Sequence, residues 1–157
     1  MANGWNLAGA SVDDVFNAAV AIEQGGFDFY ERLRSGQPDP RVRKEFEFLR
    51  DEEGRHRELF LSFLGSRPDG ARGASAARLE ALVQQEFIGP LSTLLRSSRI
   101  ETNEQTIVFG QELEKKSISF YTALLSAVGE NRRADIERIL KEEERHLEQL
   151  RLLLSYF

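Results

Sequence analysis

Apolar residues recur at intervals of three and four over four long stretches of the chain, the spacing that puts one hydrophobic stripe on an α-helix. The first stretch covers about 11–35 and opens with Ser11 and Asp14 at capping-box spacing. The second covers about 40–64, with Pro40 suited to a first helical turn and Gly65 as a stop. The third covers about 102–128, from Thr102 with Gln105 three residues on, to a stop at Gly129. The fourth covers about 131–155. Between the second and third, Gly65 to Ala77 is rich in Gly, Ala, Ser and Arg, with Pro68-Asp69-Gly70 as a turn signal. A shorter helix is expected from Leu79 to Ile88, broken by Gly89-Pro90. The connections after the first and third helices are a few residues long, which makes antiparallel hairpins. The connection over about 65–101 is long enough to cross the length of a bundle. The expected fold is therefore all-α: a four-helix bundle of two antiparallel hairpins, joined by a long crossover with a short extra helix, as one domain over 1–157.

The two hairpins repeat one another. Glu23 is followed by Phe29-Tyr30 and Glu114 by Phe120-Tyr121, at the same spacing. Glu52-Glu53-Gly54-Arg55-His56 differs from Glu142-Glu143-Glu144-Arg145-His146 only at the middle residue. Packing alone would preserve apolar positions, but this repeat preserves charged ones as well.

Those charges fall on the apolar seams. The second helix reads Val42, Phe46, Leu49, Glu53, His56, Phe60, Phe63, and the fourth reads Ile136, Ile139, Glu143, His146, Leu150, Leu153, Phe157. Glu23 interrupts Phe16, Ala19, Gly26, Tyr30, Leu33, and Glu114 interrupts Ile107, Tyr121, Val128. A seam of this kind faces the core. Most glutamates are surface residues or are neutralised one helical turn away. Glu23, Glu114 and Glu143 have no Lys or Arg at those positions, and Glu53 alone does, in Arg50 and Arg57. The neighbouring acids are matched: Glu112 by Lys115 and Lys116, Glu137 by Lys141, Glu142 by Arg145. Glu52 and Glu142 are accordingly expected to face solvent, with Arg55 and Arg145 as partners.

Several buried, unpaired carboxylates would cost several kcal/mol each, against a net stability of roughly 5–15 kcal/mol for a typical domain. Two divalent cations would cancel four carboxylates, and both histidines of the chain belong to the same set, one imidazole per metal. Carboxylate oxygens with imidazole suit iron or manganese. Glu23, Glu53, His56, Glu114, Glu143 and His146 are therefore the candidate ligands for about two ions per chain. Tyr30 and Tyr121 lie two turns, about 10 Å, past Glu23 and Glu114. They are too far to touch those acids, yet each can hydrogen-bond a ligand carboxylate on another helix. A core tyrosine with some other acceptor fits the spacing equally well.

Composition removes other classes of function. A net charge of −5 argues against nucleic acid as the main partner. The absence of cysteine excludes disulfides, iron–sulfur ligation and thiol catalysis within this chain. No apolar run approaches the ~20 residues of a membrane span, and Met1 to Asp14 lacks the pattern of a secretory signal. A cytoplasmic protein without a membrane partner is expected. Phe48 and Phe109, aromatic but off the seams, suggest exposed apolar surface and a homodimer or larger assembly.

Glu23 with Phe29-Tyr30, Glu53-x-x-His56, Glu114 with Phe120-Tyr121, and Glu143-x-x-His146 together resemble the ferritin-like superfamily, and most closely the di-iron domain of rubrerythrin-related proteins. The resemblance covers nearly the whole chain. It implies two iron ions (or manganese), a terminal histidine on each, and a bridging pair drawn from Glu53 and Glu143 or from Glu23 and Glu114. It also implies an oxidoreductase of ferroxidase type, in which Fe(II) gives electrons to O2 or peroxide. An iron-storing module with little turnover, and a bundle whose site stays empty, are the alternatives. Two departures bear on this. Rubrerythrin proper carries a rubredoxin-like centre held by four cysteines, which this chain lacks, so electrons would come from an external donor. Its peroxidases also carry an extra carboxylate one turn after the third-helix glutamate, where this chain has Ser117.

Overall fold

A computed structural model of the chain describes residues 4–65, 73–97 and 102–157. The helices are α1 (Val12–Ser35), α2 (Pro40–Leu64), α3 (Ala76–Val83), α4 (Gly89–Ser97), α5 (Asn103–Leu125) and α6 (Glu130–Leu154), with a π-helical turn at Gln84–Ile88 between α3 and α4. No strand occurs among the described residues. The long helices pair as α1 with α2 and α5 with α6, and α3 and the π-turn pack on α1. This is the ferritin-like all-α bundle expected from the sequence.

The helix ends follow from their caps. Thr102 and Gln105 form the full capping box, each side chain bonding the other's backbone N–H. At α1, Ser11 accepts from the Asp14 N–H, but the Ser11 backbone N–H donates to the Ser75 hydroxyl and not to the Asp14 carboxylate. That carboxylate reaches into the crossover instead, accepting from the Gly73 N–H at 2.8 Å and the Ser75 hydroxyl at 2.6 Å. Asp39 caps α2 ahead of Pro40, and α2 ends on Gly65 at φ +66°, a left-handed conformation that glycine adopts without strain.

The crossover corrects one expectation. Gly89-Pro90 does not break the helix: α3 continues through the π-turn into α4. Proline has no N–H and crowds the carbonyl four residues back, and widening the turn accommodates it. The Gly89 N–H bonds Gln84 O, which a Cβ at residue 89 would approach to 2.6 Å. The expected turn at Pro68-Asp69-Gly70 lies outside the described residues.

One cluster of buried side chains runs from Trp5 to Leu150. All the α1 seam positions are buried, and α2 is buried from Val42 to Phe60. The α6 seam is buried through Leu150, but Leu153 is half-buried and Phe157 is 39% exposed. Phe48 is exposed as expected, whereas Phe109 is buried at 7% and contributes to the core.

Candidate metal centre

Glu23, Glu53, Glu114 and Glu143 come from α1, α2, α5 and α6 and have no solvent exposure, nor does His56; His146 is 3% exposed. Three-residue spacing places each histidine one turn from its helix's glutamate on the same inward face. The fold brings all six together. Ligand atoms of Glu53, Glu114, Glu143 and His146 lie within 4.8 Å of one another, as do those of Glu23, His56 and Glu143. Glu143 belongs to both groups.

The basic neighbours of Glu53 turn away from it. Arg50 binds Glu31 at 2.6 Å and Asp51 at 3.0 Å. Arg57 bonds Gln24 at 2.5 Å and Glu58 at 3.2 Å. No arginine or lysine ion pair reaches any of the four acids among the described residues. Glu23 Oε2, Glu114 Oε2, both oxygens of Glu53 and of Glu143, and Nδ1 of His56 and His146 are all buried without a hydrogen-bond partner. His56 Nδ1 approaches Glu143 Oε1 to 2.8 Å but without the alignment of a hydrogen bond. Buried polar atoms are nearly always satisfied, and eight of the twelve exceptions among the described residues belong to this one cluster. Their chemistry, hard carboxylate oxygen with two imidazole nitrogens, fits a pair of iron or manganese ions.

The charge state of the metal-free cluster follows from the same crowding. Burial pushes the Glu53 and Glu114 carboxyls well above the usual carboxylate range, and the charge on Glu143 pushes in the same direction. Burial likewise raises Glu23, against the opposing pull of His56. For Glu143, burial is outweighed by contacts with Glu114, His146 and His56, which hold it below the usual range. Burial alone would lower His56, but Glu23 and Glu143 raise it to about 11.

Each tyrosine reaches across to the other hairpin. The Tyr30 hydroxyl donates to Glu114 Oε1 at 2.6 Å, and the Tyr121 hydroxyl donates to Glu23 Oε1. Both acids thus have one oxygen fixed and one free. Phe46 stacks on Tyr30 with ring centroids 5.7 Å apart, and Phe60 on Tyr121 at 5.9 Å, so packing sets both ring orientations.

Two features escaped the sequence reading. Glu52 and Glu142 do not face open solvent, their side chains being only 21% and 13% exposed. Arg55 binds both, and Glu142 also lies 3.0 Å from His56 Nε2. The signal was present in the repeat, which preserves Glu52 and Glu142 as faithfully as the ligand glutamates beside them. The second feature is Gly26, where a Cβ would stand 2.7 Å from Glu53 Oε2. Its neighbour Gly25 makes room for Ile88 in the same way. A Gly-Gly pair inside a helix was the clue.

A family model described as Rubrerythrin matches residues 14–154, which takes in nearly all of α1, the whole of α2 to α6 and every residue of the cluster. No curated protein and no solved structure matches the chain. A bundle of two hairpins, a repeated Glu and Glu-x-x-His pattern meeting in its core, and a family match over nearly the full length lead to one assignment: the chain belongs to the rubrerythrin family.

Proposed function

We propose that the protein is a di-iron carboxylate oxidoreductase that oxidises Fe(II), with O2 or peroxide accepting the electrons. The observation that carries this reading is the convergence of unpartnered carboxylate oxygens and imidazole Nδ1 atoms in a core where, among the described residues, no lysine or arginine pairs with the four acids. Iron would be held by Glu23, His56 and Glu143 on one side and by Glu53, Glu114, Glu143 and His146 on the other, Glu143 being common to both sets. Two ferrous ions held there would supply the electron pair for the oxidant. The chain's own part is to position and to protect. Tyr30 and Tyr121 fix one oxygen each of Glu114 and Glu23, and the ring stacks beside them keep water out. Protons held by the Glu53 and Glu114 carboxyls must leave before those oxygens can serve as ligands.

Ser117, buried where the peroxidases of this family carry a carboxylate, supports O2 over peroxide as the oxidant. Lacking cysteine, the chain would take electrons for repeated turnover from a separate donor. Exposed Phe48, Leu152 and Tyr156 support assembly into a homodimer or larger.

The test is to load metal-free protein anaerobically with two equivalents of Fe(II), admit O2, and follow ferric absorbance. Oxidation should outpace both protein-free buffer and the Glu53→Ala variant. A rate no faster than buffer would sink the reading.

A further inference from the structure

The internal repeat makes the two halves of the centre alike, but the surface over them differs. The outer seam between α2 and α6 carries Phe48, Glu52 and Arg55 from one helix and Glu142, Arg145 and Gln149 from the other. His56 turns Nε2 to Glu142 on the opposite hairpin, 3.0 Å away. Arg55 closes on that same carboxylate and also on Glu52, with Nε at 2.8 Å from Glu52 Oε2. His56 is completely enclosed.

The repeat-related contact is looser. His146 Nε2 lies 3.7 Å from Glu52 Oε1, beyond hydrogen-bond reach. Arg145, the counterpart of Arg55, is exposed. A cavity of 330 Å³ opens on this seam, with His146 in its wall beside Phe48, Glu52 and Gln149; His56 takes no part in the wall. The Phe48 ring, 43% exposed, stands edge-on to the His146 imidazole at 5.9 Å between centroids.

We propose that this seam makes the two metal positions unequal: Glu142, clamped by Arg55, is a positioning residue that locks the His56 position, while the His146 position, open to the cavity, is the one through which metal exchanges. The inference rests on the two-metal reading above. A ligand imidazole grips best when an acceptor at its other nitrogen fixes its tautomer and ring orientation. Glu142 supplies that acceptor to His56, and Arg55 keeps the acceptor from swinging away. His146 has no acceptor at that distance, and its ring rests against Phe48 at the edge of a space large enough for several waters. Water reaches this imidazole first, so ligand exchange starts there.

Co(II) release tests the inference without any turnover. Protein carrying two Co(II) ions is mixed with excess chelator, and the loss of cobalt absorbance is followed in time. Two phases are expected, one ion in each. Glu142→Ala should speed the slow phase by about 10–100-fold. Glu142→Gln, whose amide oxygen still accepts from the His56 Nε2–H, should leave it near wild type. Phe48→Trp, which fills the cavity, should slow only the fast phase. In proton spectra of the Co(II) form, the shifted imidazole N–H of His56 should persist in water while that of His146 exchanges away. Release of both ions in a single phase overturns the inference, as does a Glu142→Ala variant with both phases unchanged. Protein that takes up no Co(II) at all would instead refute the two-metal reading beneath it.

Discussion

Removing metal should leave a protein whose stability falls as pH rises, whereas the metal-loaded protein should keep its stability through the same change. In the metal-free cluster, burial holds protons on Glu53 and Glu114 above the usual carboxylate range, and Glu23 with Glu143 raises His56 to about 11. The unfolded chain releases the corresponding protons near 4.5 and 6.5. A raised pKa contributes stability that is complete below the unfolded value and is lost as pH climbs through the folded one. Between pH 7 and 9 the unfolded imidazole is mostly neutral while folded His56 stays charged, so stability falls by about 1.4 kcal/mol per pH unit for that proton. Over the window this is roughly 2.5 kcal/mol, or about 5–10 °C in melting temperature for a chain of this size. Glu53 and Glu114 add to the loss wherever they still hold protons. The depressed Glu143 acts only on the acid side, where its stabilisation is lost as pH falls, and does not enter this window.

Metal removes the trend because every ligand atom must be unprotonated to bind, in the loaded fold as in the unfolded chain at these pH values. Mn(II), which resists oxidation in air better than Fe(II), makes a convenient probe. At about 100 times Kd it should stabilise the fold by roughly 2.7 kcal/mol per independent site, and its apparent Kd should tighten with pH. The assay is thermal unfolding at pH 6.5, 7.5 and 9, with fixed Mn(II) or with excess chelator. The gap between the two melting temperatures should widen at each step. Glu53→Gln with Glu114→Gln should flatten the chelated curve by removing two of the titrating groups. A gap independent of pH, or a chelated protein that gains stability between pH 7 and 9, would refute the argument.

Three further predictions follow from single contacts. Glu143→Ala should cost both ions by elemental analysis, since Glu143 belongs to both ligand groups, whereas the exposed Glu144→Ala should cost none; equal losses would mean that the wrong helix face has been assigned. Gly26→Ala should favour the helix by up to about 1 kcal/mol yet weaken Mn(II) binding at least tenfold by calorimetry, because the new methyl group takes space 2.7 Å from Glu53 Oε2; unchanged affinity would show that Glu53 does not need that space. Tyr30→Phe strips Glu114 Oε1 of its 2.6 Å donor and should lower the melting stability of the Mn(II)-loaded protein by about 1.5–3 kcal/mol, with no loss expected if the hydroxyl merely fills volume.

Much of this centre was legible because helical period is a strong signal and acids on an apolar seam violate it. Glu23, Glu114 and Glu143 could be read as unpaired from the residues one turn away, and the structure leaves them so. Glu53 could not, since Arg50 and Arg57 stood at pairing distance in sequence. Only the fold shows them drawn off to Glu31 and Asp51 and to Gln24 and Glu58. The same limit hid the role of Glu142. Spacing along α6 gives it Arg145, but the contact that forms is with Arg55 and His56 of α2, a matter of how two hairpins meet and not of either helix alone. The π-turn was missed for a related reason: Gly89-Pro90 normally ends a helix, and packing of Phe87, Ile88 and Leu91 against the bundle carries the chain through it.

The glutamates and histidines together explain how such a core survives in both states. Without metal, the cluster moves toward neutrality by taking up protons: burial favours the protonated forms of Glu53 and Glu114, and His56 becomes a cation facing Glu143, whose charged form is favoured. With two divalent ions, four carboxylates supply the matching four negative charges and the histidines stay neutral. Protons and metal ions are therefore alternative counter-charges for the same buried oxygens, each excluding the other. Ordinary salt bridges would have satisfied those oxygens permanently, and the arginines nearest to Glu53 are held by other partners. The apolar seams set the position of the cluster, Tyr30 and Tyr121 hold one oxygen on each of two acids, and among the described residues no lysine or arginine pairs with the remaining donors.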